Sequence, residues 1–233
     1  MSSLADRLLQ LLEGLDARQL AVPDGVDVLD PFHGPDAGEV QRIVRTFHTK
    51  YYADDRPRLL MLGINPGRLG AGSTGLPFTD TKRCEADLGI PVEGFRTHEP
   101  SSDFFYRVVR AAGGAGVFYV RVYVHAICPF GFTRIGPTGR PVNLNYYDDK
   151  DLQGGITPFV HRWLKALVAT GMRTDRVFCV GTGKNLAYLE KLNAELGLFG
   201  NIVPLEHPRY VMQYKARMLD HYVDKYLDAI GGD

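Results

Sequence analysis

The sequence predicts an α/β fold, a three-layer α-β-α sandwich around a central four-stranded, mainly parallel sheet. Three observations predict it. Short apolar runs alternate with helical runs along most of the chain, the order that joins parallel strands through covering helices. The 233 residues show no composition shift, so they are read as one domain over 1–233, with residues 1–55 an N-terminal helical region packed on it. The residues of special backbone or polar character fall just after the apolar runs, at one edge of such a sheet.

The elements follow in order. Leu4, Leu8, Leu11, Leu12 and Leu15 recur at helical spacing and predict an amphipathic helix. The Pro-, Asp- and Gly-rich stretch from Val22 to Gly38 is expected as loop, and a second helix runs from about Glu39 to Tyr51. Leu59–Ile64 is the first strand, short, apolar and stopped by Asn65-Pro66-Gly67. The following stretch to about Pro100 is expected as a long loop, and loops of that length in a compact domain are usually functional. Ser101–Arg110 starts on good capping residues and ends before Gly113-Gly114, so it is a helix.

Val117–Ile127, rich in Val, Tyr and Phe, is expected as the second strand. A helix is expected from Thr157 or Pro158 to Thr170, with the proline in its first turn. Arg176–Val180 is the third strand, Lys184–Leu196 a helix stopped by Gly197, Asn201–Leu205 the fourth strand, and Tyr210–Ile230 the closing helix. Ligands bind such sheets outside the carboxyl ends of the strands. The four strands deliver Asn65, His125-Ala126-Ile127-Cys128-Pro129, Gly181 and His207 to that edge.

Composition excludes several classes. Formal net charge is zero, so the chain has no global basic signature, although a local patch suffices to hold phosphates. Cys84, Cys128 and Cys179 are scattered and form no Cys-x-x-Cys pair or Cys/His cluster. No zinc site or iron–sulfur cluster is expected, and the thiols are expected reduced in a cytoplasmic protein. Asp6, Arg7 and Glu13 interrupt any signal-peptide core near the start, and no apolar run could span a membrane. Gly181-Thr182-Gly183-Lys184-Asn185 fails the phosphate-loop pattern, because Phe178 stands where the first glycine belongs and Asn185 replaces Ser or Thr. It is read as a turn opening a helix, with amides near a phosphate.

One constellation remains. Gly63-Ile64-Asn65-Pro66-Gly67, followed by Gly70, Thr74-Gly75 and Pro77-Phe78, resembles the first motif of the single-strand-selective monofunctional uracil-DNA glycosylase family, a branch of the uracil-DNA glycosylase superfamily. Val124-His125, Cys128-Pro129 and Pro137-x-Gly139-Arg140 resemble its middle segment, and His207-Pro208-Arg209 its second motif. The resemblance runs from about Leu59 to Lys215. It is strongest to a divergent bacterial subgroup in which a short His-Pro-Arg-aromatic motif replaces a longer form.

The resemblance implies a monofunctional glycosylase that flips a deaminated base, uracil first among candidates, and hydrolyses its N-glycosidic bond without a cofactor or metal. Asn65 and His207 are its implied catalytic residues: Asn65 positions water, and His207 donates to the base carbonyl. Gly63, Ile64, Phe78 and Ala126 are the implied base-binding set, with Phe78 stacking on the base. Gly67, Arg68, Lys184, Arg209, Tyr210 and Lys215 are the implied DNA contacts, Arg209 and Tyr210 as the wedge. The implied partner is DNA with a damaged base, single-stranded or mismatched, met by a monomer that associates with the bacterial nucleoid while acting. Arg68, Lys82, Arg83, Lys184, Arg209 and Lys215 are expected to gather at the pocket mouth.

The family's usual asparagine after the middle histidine is Ala126 here. That opens the site to xanthine, hypoxanthine or another modified base, with Asn143 or Asn145 as substitutes for the missing amide. A non-catalytic nucleic-acid-binding relative is a second reading, opposed by retention of both Asn65 and His207. A small-molecule nucleotide hydrolase is a third, opposed by the missing phosphate loop and magnesium carboxylates.

Overall fold

The computed structural model describes residues 2–232. Ser3 and Asp6 form a capping box that opens α1 (Leu4–Glu13), whose Leu4, Leu8, Leu9 and Leu12 are buried. The stretch expected as loop contains a short strand, β1 (Asp27–Leu29). Next come α2 (Ala37–Tyr51), which packs on α1, and β2 (Leu59–Gly63), buried along its whole length. The segment beyond β2 is not bare loop. It carries α3 (Ala71–Thr74) and α4 (Thr81–Ala86) before α5 (Pro100–Ala111).

The expected second strand is mostly helix. Gly113 and Gly114, at φ 97° and 91°, end α5 and open α6 (Ala115–Arg121). Only Val122–Ala126 is strand, β3. Ala115, Phe118 and Tyr119 are the buried residues of α6, a spacing that helix period satisfies and strand alternation does not. Packing there overrides the β-propensity of the sequence. A hairpin follows, β4 (Gly131–Ile135) and β5 (Pro141–Leu144).

The next helix, α7 (Lys150–Ala169), starts well before Pro158. Asp149 Oδ1 caps it, accepting from the N–H groups of Asp151 and Leu152 at 3.0 and 3.1 Å. Gly154, the residue whose carbonyl Pro158 leaves without a donor, is exposed, which eases the cost of an internal proline. The chain continues through β6 (Val177–Val180), α8 (Lys184–Leu196), β7 (Ile202–Leu205), α9 (Pro208–Tyr214) and α10 (Leu219–Gly231). The expected single closing helix is thus two, divided at Lys215 by a 3-10 turn over Ala216–Met218. No Gly or Pro marks that break, and nothing in the local sequence explains it.

The main sheet has the order β3-β2-β6-β7 with every pair parallel. In its register Gly63 faces Ala126, so the ends of β2 and β3 stand side by side. A second, antiparallel sheet has the order β1-β4-β5. It packs against the loop after β2 so closely that a Cβ at Gly131 would stand 2.3 Å from the Pro66 carbonyl oxygen. Cys84, Cys128 and Cys179 are buried free thiols, each pushed up to about 12 by burial. Among the described residues no helix is long and apolar enough to cross a membrane, and no group of three or more His, Cys, Asp or Glu could hold a metal.

Candidate active site

A cavity of about 560 Å³ opens at the carboxyl edge of the main sheet. Every strand of that sheet supplies part of its lining: Gly63 to Gly67 after β2, Ala126 at the end of β3, Gly181 after β6 and His207 after β7. This is the edge where the parallel topology concentrates loops and helix N-termini.

Asn65 is held by backbone. Its Nδ2 donates to the Leu144 carbonyl at 3.2 Å and its Oδ1 accepts the Tyr146 N–H at 3.1 Å. The hairpin thus fixes which end of the amide points where, and the Oδ1 keeps a second lone pair for a further donor. Tyr146 is fixed in turn, since its hydroxyl donates to Asn185 Oδ1 at 2.6 Å.

Phe78 is the one non-glycine residue with positive φ among those described, at 52°. Its ring stacks on Phe105 at 5.2 Å and meets the His207 ring edge-on at 5.6 Å. Gly63 makes room for it, because a Cβ there would stand 3.0 Å from Phe78 Cζ. Ile64, the remaining expected base contact, lines the cavity and accepts the Cys128 N–H through its carbonyl at 3.2 Å.

His207 caps α9. Its Nδ1 accepts the Arg209 N–H at 3.2 Å. A backbone N–H can only donate, so this contact leaves the proton of the neutral ring on Nε2. Burial, with Arg209 beside it, pushes the imidazole down to about 4, so the ring is neutral above mildly acid pH. The preceding residue is pinned by α10: Lys225 pairs with the Glu206 carboxylate at 2.9 Å and the Tyr226 hydroxyl donates to the Glu206 carbonyl at 2.6 Å. His125 also lines the cavity, and burial pushes it down to about 3. Its Nδ1 accepts the Ala126 N–H, and the Ala126 carbonyl accepts Trp163 Nε1–H at 3.2 Å. Both backbone groups of Ala126 thus have a partner, and its carbonyl keeps a second lone pair.

The expected DNA contacts divide. Gly67, Lys184, Arg209 and Tyr210 line the cavity, whereas Arg68 and Lys215 do not. The expected gathering of six basic residues at the mouth is not what the fold builds. Lys82 is also outside the lining, and Arg83 is buried against Asp87 and Asp103 as an internal ion pair. Lys184 lies over the Tyr147 ring and within 3.4 Å of Asp148. Asn143 and Asn145 line the cavity with one amide atom each already bonded, to the Arg68 N–H and to Asp148.

The profile of the uracil DNA glycosylase superfamily matches residues 49–231, most of the chain. The chain belongs to the uracil DNA glycosylase superfamily. Among solved structures, this glycosylase is similar to the crystal structure of wild-type SMUG2 from Pedobacter heparinus. The two are 42% identical, with 99% of this chain and 98% of that one covered and a TM-score of 0.95. No functionally curated protein matches it. Superfamily membership makes the protein a DNA glycosylase.

Among the lining residues that sequence reasoning missed are Glu99 and Tyr214 of this glycosylase. Glu99 precedes α5 and falls at the end of the stretch expected as loop. Tyr214 lies one helical turn after Tyr210, and the two exposed rings stand 5.5 Å apart at the mouth. The spacing of the two tyrosines, four residues on one helix, was the available signal for the second.

Proposed function

We propose that this glycosylase extrudes a deaminated base, uracil foremost, into the cavity and hydrolyses its N-glycosidic bond by a dissociative path. The observation that carries this reading is the convergence of Asn65, Phe78 and a neutral His207 on one cavity. Extrusion costs a few kcal/mol, and stacking on an aromatic face returns about 1–3 kcal/mol per base. Phe78 supplies that face.

Bond cleavage leaves negative charge on the departing base and positive charge on the sugar. The His207 Nε2–H is the donor for the base carbonyl, and a preorganised donor of this kind is worth about 2.7–4 kcal/mol. Asn65 is a poor base, so it positions water rather than deprotonating it. The bond therefore breaks first, and water held by Oδ1 captures the oxocarbenium-like sugar, leaving an abasic site. Arg209 and Tyr210 enter the gap in the strand. The wedge segment is short, which favours single-stranded or mismatched DNA over a paired duplex.

Xanthine and hypoxanthine are the second substrate reading, favoured by Ala126, which brings no side-chain amide to the base. Release of uracil, xanthine and hypoxanthine from labelled oligonucleotides, single-stranded and paired, tests both. Asn65→Ala and His207→Ala are each expected to lose at least 100-fold, roughly the effect of deleting a preorganised donor. Unchanged release in either variant would remove it from the mechanism. Equal rates on single-stranded, mismatched and paired substrates would remove the strand preference.

A further inference from the structure

One buried polar atom in the cavity has no partner. Glu99 Oε2 is sealed from solvent and makes no hydrogen bond among the described residues. The backbone of Glu99 is fixed: its N–H donates to Asp80 Oδ2 at 2.9 Å, and its carbonyl accepts the N–H and hydroxyl of Ser102 at 3.0 and 2.7 Å. Its side chain does not cap α5, although it stands at the capping position. It reaches instead over the glycines that follow Asn65. A Cβ at Gly70 would stand 2.1 Å from Oε2, and one at Gly67 would stand 3.4 Å from Oε1. The first-motif loop is therefore shaped to seat this carboxyl.

An unpartnered carboxylate in such a place is costly unless it takes up a proton. Burial and the nearby Asp80 push Glu99 up to about 7, against the opposing pull of Arg209. The charged and titratable groups around it are Asp80 with His98 bound to it, Asp103 and Arg83 along α5 and α4, His207 and Arg209 at the start of α9, and Lys184 across the cavity. A protonated carboxyl presents a donor and an acceptor side by side, as an amide does. Ala126 has no amide side chain to offer that pair, and its N–H is already given to His125 Nδ1.

We propose that Glu99, in its protonated form, reads the extruded base, donating from one carboxyl oxygen to a carbonyl or ring-nitrogen acceptor and accepting an N–H at the other. The ligand class is a base with a lactam edge, such as uracil, hypoxanthine or xanthine. This rests on the glycosylase reading given above.

The test is single-turnover uracil release from a single-stranded oligonucleotide between pH 5.5 and 9, for wild type, Glu99→Gln, Glu99→Ala and His98→Gln. Wild-type kcat/KM is expected to fall above an inflection near or above pH 7, approaching roughly tenfold per pH unit as the protonated fraction declines. Glu99→Gln keeps donor and acceptor at every pH, so its profile is flat there and it overtakes wild type at pH 8.5. Glu99→Ala is at least tenfold slower at pH 6.5, and His98→Gln keeps the inflection. A wild-type rate that is flat or rising through pH 7, an inflection that survives in Glu99→Gln, or a Glu99→Gln as slow as Glu99→Ala would each overturn the proposal.

Binding separates this from the reading beneath it. An oligonucleotide carrying 2′-fluoro-2′-deoxyuridine, which resists cleavage, is followed by anisotropy against an unmodified strand. Wild type is expected to prefer the modified strand several-fold more at pH 6.5 than at pH 8.5, and Glu99→Gln is expected to show no such difference. That contrast decides for or against Glu99 even if no base is released, and its absence overturns the proposal.

Discussion

Phe78 holds a left-handed backbone conformation that bulky residues avoid, at a cost of roughly 1–3 kcal/mol. The surroundings that enforce it are the Phe105 ring beneath and the bare Gly63 backbone beside it. Gly63→Ala should therefore act on the substrate side rather than on the fold. We expect kcat/KM to fall about tenfold or more, equivalent to about 1.4 kcal/mol, with an unchanged circular dichroism spectrum. A Gly63→Ala enzyme of full activity would mean that the ring position does not matter. Asn65, Phe78 and His207 were legible in the sequence because each sits at a strand end or at fixed distance from one. Glu99 was not, since its role depends on where a long segment brings it back. Arg83 was misplaced for the same reason: charge is visible in a sequence, but its direction is not.

Elements show the same division. Three of the four parallel strands and the order of all four along the chain were readable as short apolar runs, whereas the second was read too long by the helical residues 117–121. The hairpin of β4 and β5 and the short β1 were not, since they are brief and carry exposed residues such as Ile135 and Val142. Yet the hairpin holds Asn65, so the geometry of the candidate site depends on an element the sequence hid. Two changes test how the helix after the hairpin, α7, is anchored. Asp149 caps α7 and pairs with Arg134 of β4 at 3.0 Å, so Asp149→Ala should cost about 1 kcal/mol for the cap alone, measured by urea unfolding. Gly155→Ala should reverse the usual rule. Alanine normally favours a helix interior by about 1 kcal/mol over glycine, but here the new Cβ would stand 2.0 Å from the Ala21 carbonyl oxygen. A lower unfolding midpoint is expected; a higher one would show that the 20–22 segment yields freely.

The whole molecule links pH to stability through its buried histidines. Burial pushes His48 and His207 down to about 4 and His125 down to about 3. An unfolded histidine takes up its proton near pH 6.5, so between there and pH 4 the unfolded chain binds more protons and acidification favours it. Glu99 opposes this, since its folded form is protonated from about 7 downward and its unfolded form only near pH 4.5. Three groups against one leave a net loss, and we expect stability to fall by roughly 3 kcal/mol between pH 7 and pH 5. His48→Gln should flatten that slope; an unfolding midpoint that does not move with pH would contradict the account. At this scale the sheet edge that gathers the site was legible from strand order alone, whereas the path of the nucleic acid was not, because a neutral chain scatters its cations. The three sealed thiols have a use of their own. A maleimide or iodoacetamide added to the native protein should label none of them, and chemical denaturation should expose all three at once, so reagent uptake becomes a built-in clock for opening that needs no dye and no engineered label.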